Sequence, residues 1–395
     1  MLALRRWQFV SGAVIFTMLA GHAIVPSAAR ASQSEIILDP AVDPAIAPHE
    51  TYPHVSGQFI GYIENAHFYD VKGPEGSGLP SSWNTVDPFM QGAIVAKLTP
   101  TLAISGLAEF RSFATAPEDR AFEQLDGQLR NLFVTYDAGH TTLFAGKFEV
   151  GYGEAWQTVD GIYSGFSGDY SYPGSLGLGA RWSWKNADSA RHTWTSIVFK
   201  RDNTIFGHTW TKDYPALPQL EDGGPGNTHG LQSGGIAYDI SDIPGLPGLR
   251  GGIAVGRMAR GDGEADERGE TGMSVTVNYD TPLSETWGLR LFAEAVYLRG
   301  YMGRQAAATD TVLSASLSHG QMLYTLTAAR RDLNAIQGSL ADQGFVDNND
   351  WGWSATAAYQ TDFGLIVQAG FLRQQEQGVA FNQALLRLIY QTGWQ

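Results

Sequence analysis

The sequence predicts an all-β protein, a transmembrane antiparallel barrel of about sixteen strands. Three observations predict it. Period-2 alternation recurs in segments of about ten residues, connections alternate between short and long, and aromatic residues gather at strand ends. The alternation is clearest at 273–280, where Met273, Val275, Val277 and Tyr279 share one face and Ser274, Thr276, Asn278 and Asp280 the other. At 312–318, Leu313, Ala315 and Leu317 oppose Ser314, Ser316 and Ser318. Near the end, Ala384, Leu386, Leu388 and Tyr390 oppose Gln383 and Arg387. A soluble sandwich also alternates. Here, however, the polar face is small and hydroxylated, as a wet lumen allows. Tyr279, Trp287, Tyr297, Trp351, Trp353, Tyr359, Tyr390 and Trp394 sit where a ring prefers the membrane interface.

The first segment, 1–31, reads as an export signal: Arg5 and Arg6, then an apolar run from Trp7 to Val25, then the small-x-small site Ala29-Arg30-Ala31. His22 and Pro26 interrupt that run and weigh against a retained anchor. Residues 32–54, rich in Pro and Ala, read as a flexible periplasmic segment or a tail folded into the lumen. The barrel then occupies 55–395. Its strands are expected near 55–70, 89–98, 101–112, 126–137, 140–151, 175–185, 191–201, 231–241, 248–259, 270–281, 285–299, 309–319, 321–332, 351–361, 363–374 and 380–391. Tight turns at Thr99-Pro100, Ala138-Gly139, Gly320 and Asp362 fall among the short connections, so both termini belong to the short-turn, periplasmic side. An even strand number lets the sheet close and leaves no unpaired edge in lipid.

Composition narrows the function. With 47 Gly, 46 aromatic residues (Trp 11, Tyr 16, Phe 19) and only 17% charged residues, strands and turns dominate. The signal carries three arginines and no acid, so 23 basic residues face 40 acidic ones in the exported chain, a formal charge of −17. That balance disfavours nucleic acid, whose phosphates need Lys and Arg. Zero cysteines exclude a disulfide framework and thiol chemistry. No G-x-S-x-G, H-E-x-x-H or P-loop occurs. The scattered His192, His208, His229 and His319 suggest no triad, so the chain reads as no enzyme and needs no cofactor.

The segment 151–175 carries the most distinctive chemistry: Glu154, Asp160 and Asp169 with no Lys or Arg, six aromatics and six glycines. It follows the strand L-F-A-G-K-F-E-V at 143–150. Strand and segment together resemble the Gram-negative porins, whose fifth strand ends in G-[KR]-x. The resemblance implies an outer-membrane barrel whose long third extracellular loop folds into the lumen and faces a basic wall across a narrow water path. Glu154, Asp160 and Asp169 become the loop acids, with Tyr152, Trp156 and Tyr163 beside them. Side-chain parity supplies the wall. Lys147 is read as opposite outward Phe144, Phe148 and Val150, and Arg181 lies between outward Ala180 and Trp182. Arg111 shares a face with Ser105 and Glu109, and Arg387 one with Gln383; Arg130 stays undecided in a strand that alternates poorly.

These residues imply a passive channel for small hydrophilic solutes and ions, with a transverse field that favours polar solutes. The acid excess lies largely in outer loops, which leaves ion selectivity to the constriction. The resemblance also implies a homotrimer and delivery by the barrel-assembly machinery, which reads the final strand; here Gln395 follows the aromatic Trp394. A substrate-specific channel, with Tyr152, Trp156, Tyr163, Tyr170 and Tyr172 as a solute track, remains the alternative. A non-conducting envelope barrel is the third reading. Acidic tips at 260–270 and 342–350 lack calcium-loop spacing and read as solvated loops, or else as bridges to lipopolysaccharide through divalent ions.

Overall fold

The alternating segments form strands because inward and outward neighbours differ in chemistry along each of them. A computed structural model describes residues 51–73, 77–114, 116–162, 166–186, 190–212, 220, 223–262, 268–335 and 349–394; the segment 1–31 read as an export signal and nearly all of the 32–54 segment lie outside these. The strands are β1 (His54–Lys72), β2 (Trp83–Lys97), β3 (Leu102–Ser112), β4 (Leu125–Asp137), β5 (Thr141–Gly151), β6 (Ser171–Lys185), β7 (Arg191–Arg201) and β8 (Ser233–Ser241). They continue as β9 (Leu249–Met258), β10 (Glu270–Pro282), β11 (Trp287–Arg299), β12 (Ala306–His319), β13 (Met322–Ala335), β14 (Asn349–Gln360), β15 (Leu365–Glu376) and β16 (Val379–Trp394).

Each strand pairs antiparallel with its sequence neighbours, and β1 pairs with both β2 and β16, from Gly57↔Trp394 to Lys72↔Ala380. The sheet is therefore a closed ring of sixteen strands, and a two-residue bridge, Arg120–Ala121, adds a short parallel pairing to β2. Every expected strand is present. β2 starts at Trp83 rather than 89, because residues 83–88 pair with β1, from Phe68↔Trp83 to Ile63↔Pro88, before its pairing with β3 begins at Phe89. β6 starts at Ser171 rather than 175, its first residues pairing with Val150 and Gly151 past a bulge at Glu149.

The outer face is apolar. Met273, Val275 and Val277 are exposed, as are Leu313, Leu386 and Leu388, while Ser274, Thr276, Asn278 and the serines of β12 are buried inward. Inward hydroxyls pair across strands, Ser314 with Thr327 at 3.0 Å and Ser316 with Thr325 at 3.1 Å. Exposed rings of Trp182, Trp194, Trp287, Tyr324, Tyr359 and Tyr390 lie near the short-turn rim. An apolar band ending in such rings suits a bilayer core and its interface.

One strand corrects the parity expected for it. In β5, Leu143 is exposed outward while Phe144 and Phe148 are buried inward, their rings 5.2 Å apart edge to face. Gly179 on β6 admits the Phe144 ring; a Cβ there would lie 2.3 Å from it. Both faces of β5 carry apolar residues, so alternation by itself could not choose between them.

Candidate functional site

Of the segment after β5, residues 152–162 and 166–170 are described, and they make contact with inward-facing side chains of β10 to β15. A four-residue helix, Ala155–Thr158, begins the segment, and a 3-10 turn, Phe166–Tyr170, ends it. The first turn of that helix has no side-chain cap of its own. The Glu294 carboxylate on β11 takes that role, accepting the backbone N–H of Ala155 at 3.1 Å and that of Glu154, along with the Tyr170 hydroxyl.

The loop acids then meet two arginines. Asp160 pairs with Arg290 on β11 at 3.1 Å, and Arg290 also bonds Asp280 at 2.8 Å. Asp169 accepts from Arg331 on β13 and, at 3.2 Å, from the Tyr301 hydroxyl. Arg331 is fully buried and bonds Asp350 at 2.9 Å and Glu376 at 3.1 Å, with the Phe166 ring 4.6 Å from its guanidinium carbon. Gly161 and Ile162 reach β14 and β15. At Gly161, φ is +95°, and a Cβ would lie 2.9 Å from Thr356 Oγ1 on β14. At Gly370 on β15, a Cβ would lie 2.8 Å from Ile162 Cδ1. Side-chain-free positions on both partners permit this close approach.

Glu154, the third loop acid, immediately precedes the short helix. Its pKa is raised by burial, an effect partly offset by a hydrogen bond from Thr276 and by the charge of Arg250.

Of the expected basic wall, three residues occupy inward positions. Arg111 pairs with Glu109 at 2.8 Å, and Arg387 pairs with Glu64 while standing 4.4 Å over the Tyr62 ring. Arg181 is opposite Thr195 and Thr142 in the inward register. Arg130, left undecided by its sequence, is the extra residue of a bulge opposite Leu107 and Ala108. The bulge turns it inward to Glu109 at 2.9 Å and Glu149 at 2.7 Å.

Lys147 is a correction. Its register partners are Leu132 and Leu176, of the outward set, and its ammonium is 2.8 Å from Asp202 on the strand-end turn that also offers it the Phe206 carbonyl. It is 3% exposed because the 202–207 turn covers it, not because it enters the lumen.

The expected aromatic track comprised Tyr152, Trp156, Tyr163, Tyr170 and Tyr172. Tyr152, Trp156, Tyr170 and Tyr172 are buried, and Tyr163 lies outside the described residues. Trp156 donates to the Gly153 carbonyl at 2.9 Å, Tyr172 to Glu270, and the Tyr152 and Tyr172 rings pack edge to face. Trp156, Tyr170 and Tyr172 are bonded within the loop or to the wall, while Tyr152 lines a pocket against β7–β10. Among the described residues no group of three His, Cys, Asp or Glu is arranged to hold a metal ion, and most of the acidic tips at 260–270 and 342–350 lies outside them.

The sequence reading missed Arg290, Arg331, Glu294 and Glu376. A signal for the first three was present: Arg290, Phe292 and Glu294 oppose Leu291, Ala293 and Ala295, and Arg331 shares the face of Thr325 and Thr327.

No protein-family model and no curated protein matches this sequence. Solved structures do match in fold. OprB of Pseudomonas putida aligns at a TM-score of 0.57 with 12% identity, covering 85% of this chain and 94% of its own. OmpF of Salmonella typhi aligns at 0.54 with 12% identity, covering 85% and 97%. The outer membrane channel DcaP of Acinetobacter baumannii aligns at 0.52 with 10% identity, covering 88% and 100%. At such identities the likeness concerns the fold. By strand number, closure and apolar outer face, this chain is a closed sixteen-stranded barrel with the fold of the Gram-negative porins.

Proposed function

We propose that the chain is a channel for passive diffusion of small hydrophilic solutes and ions, with residues 152–170 folded into the lumen as its constriction. The observation that carries this reading is the pair of ion pairs, Asp160–Arg290 and Asp169–Arg331, between the loop and inward-facing wall residues. In this reading Asp160 and Asp169 are anchors. The water path then runs between the loop and the β16–β5 wall, where Arg387, Arg111 and Arg130 alternate with Glu64, Glu109 and Glu149. Closely spaced charges of both signs order water and favour polar over apolar solutes. A homotrimer, contacts with lipopolysaccharide and delivery by the barrel-assembly machinery belong to the same proposal.

A substrate-specific channel is the second reading. A pocket against β7–β10, lined by Tyr152, Glu154, Thr195, Asp239 and Thr276, favours it. Planar-bilayer recording of the refolded barrel tests both. Unit conductance steps in KCl are expected, and a membrane that stays silent would overturn the channel. Current that saturates with one solute would favour the specific form. Replacing Arg290 and Arg331 together by Ala should enlarge the step; an unchanged step would mean that the loop is not the constriction.

A further inference from the structure

At the long-connection rim of β9–β11, three residues stand in one row on the outer face. Arg257 is the register partner of Thr271, and Thr271 that of Arg299, so a hydroxyl lies between two arginines. All three are exposed. Strands about 4.8 Å apart place the two arginine Cα atoms about 10 Å from each other, within joint reach of one group held over Thr271. Two residues further into each strand lies the row Val255–Met273–Tyr297, which has the same parity and is also exposed.

The chain has 40 acidic residues against 26 basic ones, so carboxylates are not scarce. Even so, neither the Arg257 nor the Arg299 side chain has an ion-pair or hydrogen-bond partner among the described residues. Glu270, next to Thr271 in the chain, turns inward, where it accepts from the Tyr172 hydroxyl and the Met302 N–H. Arg330, another exposed arginine, differs in pairing with Asp332 at 2.8 Å. Guanidinium forks match the oxygens of a phosphate, and the threonine hydroxyl adds a further donor. The apolar row beneath suits hydrocarbon. Cationic heads over such a row match a molecule with an anionic head and an acyl chain.

We propose that this row binds the phosphate headgroup of an anionic membrane lipid. Arg257 and Arg299 clamp the phosphate from either side of the Thr271 hydroxyl, and an acyl chain descends over Val255, Met273 and Tyr297. The inference rests on the reading of the apolar outer face as bilayer-facing. The probe is dihexanoyl phosphatidic acid, compared with dihexanoyl phosphatidylcholine and inorganic phosphate. Calorimetry on the detergent-solubilised barrel should show saturable binding of the phosphatidic acid, with the other two at least about tenfold weaker. Replacing Arg257 and Arg299 together by Gln should weaken it about tenfold or more, and Arg330→Gln should leave it unchanged.

Equal binding of phosphatidylcholine would remove charge recognition, and equal binding of inorganic phosphate would make the row a free-anion site; either overturns the proposal. Wild-type affinity in the double variant overturns it too, as does an equal loss in Arg330→Gln. If the double variant fails to fold, the single variants decide: each should lose about threefold, and undiminished affinity in both overturns the site. Bilayer recording reads the channel separately. A conducting barrel that does not bind the lipid overturns this site alone, and a silent barrel that binds it overturns the channel alone.

Discussion

Asp310 on β12 and Arg331 on β13 are directly opposed in the barrel wall, yet Arg331 bonds Asp169, Asp350 and Glu376 and leaves both Asp310 oxygens without a hydrogen-bond partner among the described residues. One buried guanidinium thus stands among four carboxylates, one of which comes from the loop. The balance at this spot sets how firmly the loop is held.

Arg331→Ala leaves Asp169, Asp350 and Glu376 without their shared cation. Breaking a buried pair from one side costs about 3–5 kcal/mol. A lower thermal midpoint and a larger, noisier conductance step are expected in bilayer recording, and wild-type values of both would contradict the anchoring role.

Asp310→Asn should act in the opposite direction. It removes a buried charge that makes no hydrogen bond, so the thermal midpoint should hold or rise. Combined with Arg331→Ala, it should recover part of the lost stability. A double-mutant cycle with no coupling between these opposed residues would refute this account.

Lys147→Met separates the two parities. Because Lys147 pairs with buried Asp202 under the 202–207 turn, the variant should lower the thermal midpoint and leave the reversal potential in a KCl gradient unchanged. Arg387→Gln on the inward face should shift that potential. A shift with Lys147→Met would return the residue to the lumen.

The burial of Glu154 predicts a pH dependence. Its folded pKa lies above the unfolded value, so the native state binds the proton more tightly. This contribution is full below the ordinary carboxylate range and is lost as pH rises through the shifted value. Thermal midpoints measured across pH should therefore show a falling component in wild type that Glu154→Gln lacks; parallel curves would rule it out.

Much of the fold was legible because lipid and water impose opposite demands on neighbouring residues. Met273–Ser274 and Leu313–Ser314 report their faces without help. The site was legible in part. Asp160 and Asp169 stood out as acids in a segment without bases, and Arg111, Arg181 and Arg387 could be placed by counting. Lys147 could not, since Phe144, Phe148, Leu143 and Ala145 make both faces of β5 apolar. Arg130 could not either, because a bulge adds a residue and breaks the count.

The sequence by itself determined the barrel, its sixteen strands and the side on which each clean strand keeps its polar face, since these depend on local alternation and turn length. Only the tertiary structure decided the partners. Asp169 and Arg331 are 162 residues apart in the chain, and Asp160 and Arg290 are 130 apart. No local pattern couples such positions; they meet because the ring closes and brings β13 and β11 within reach of the loop that follows β5.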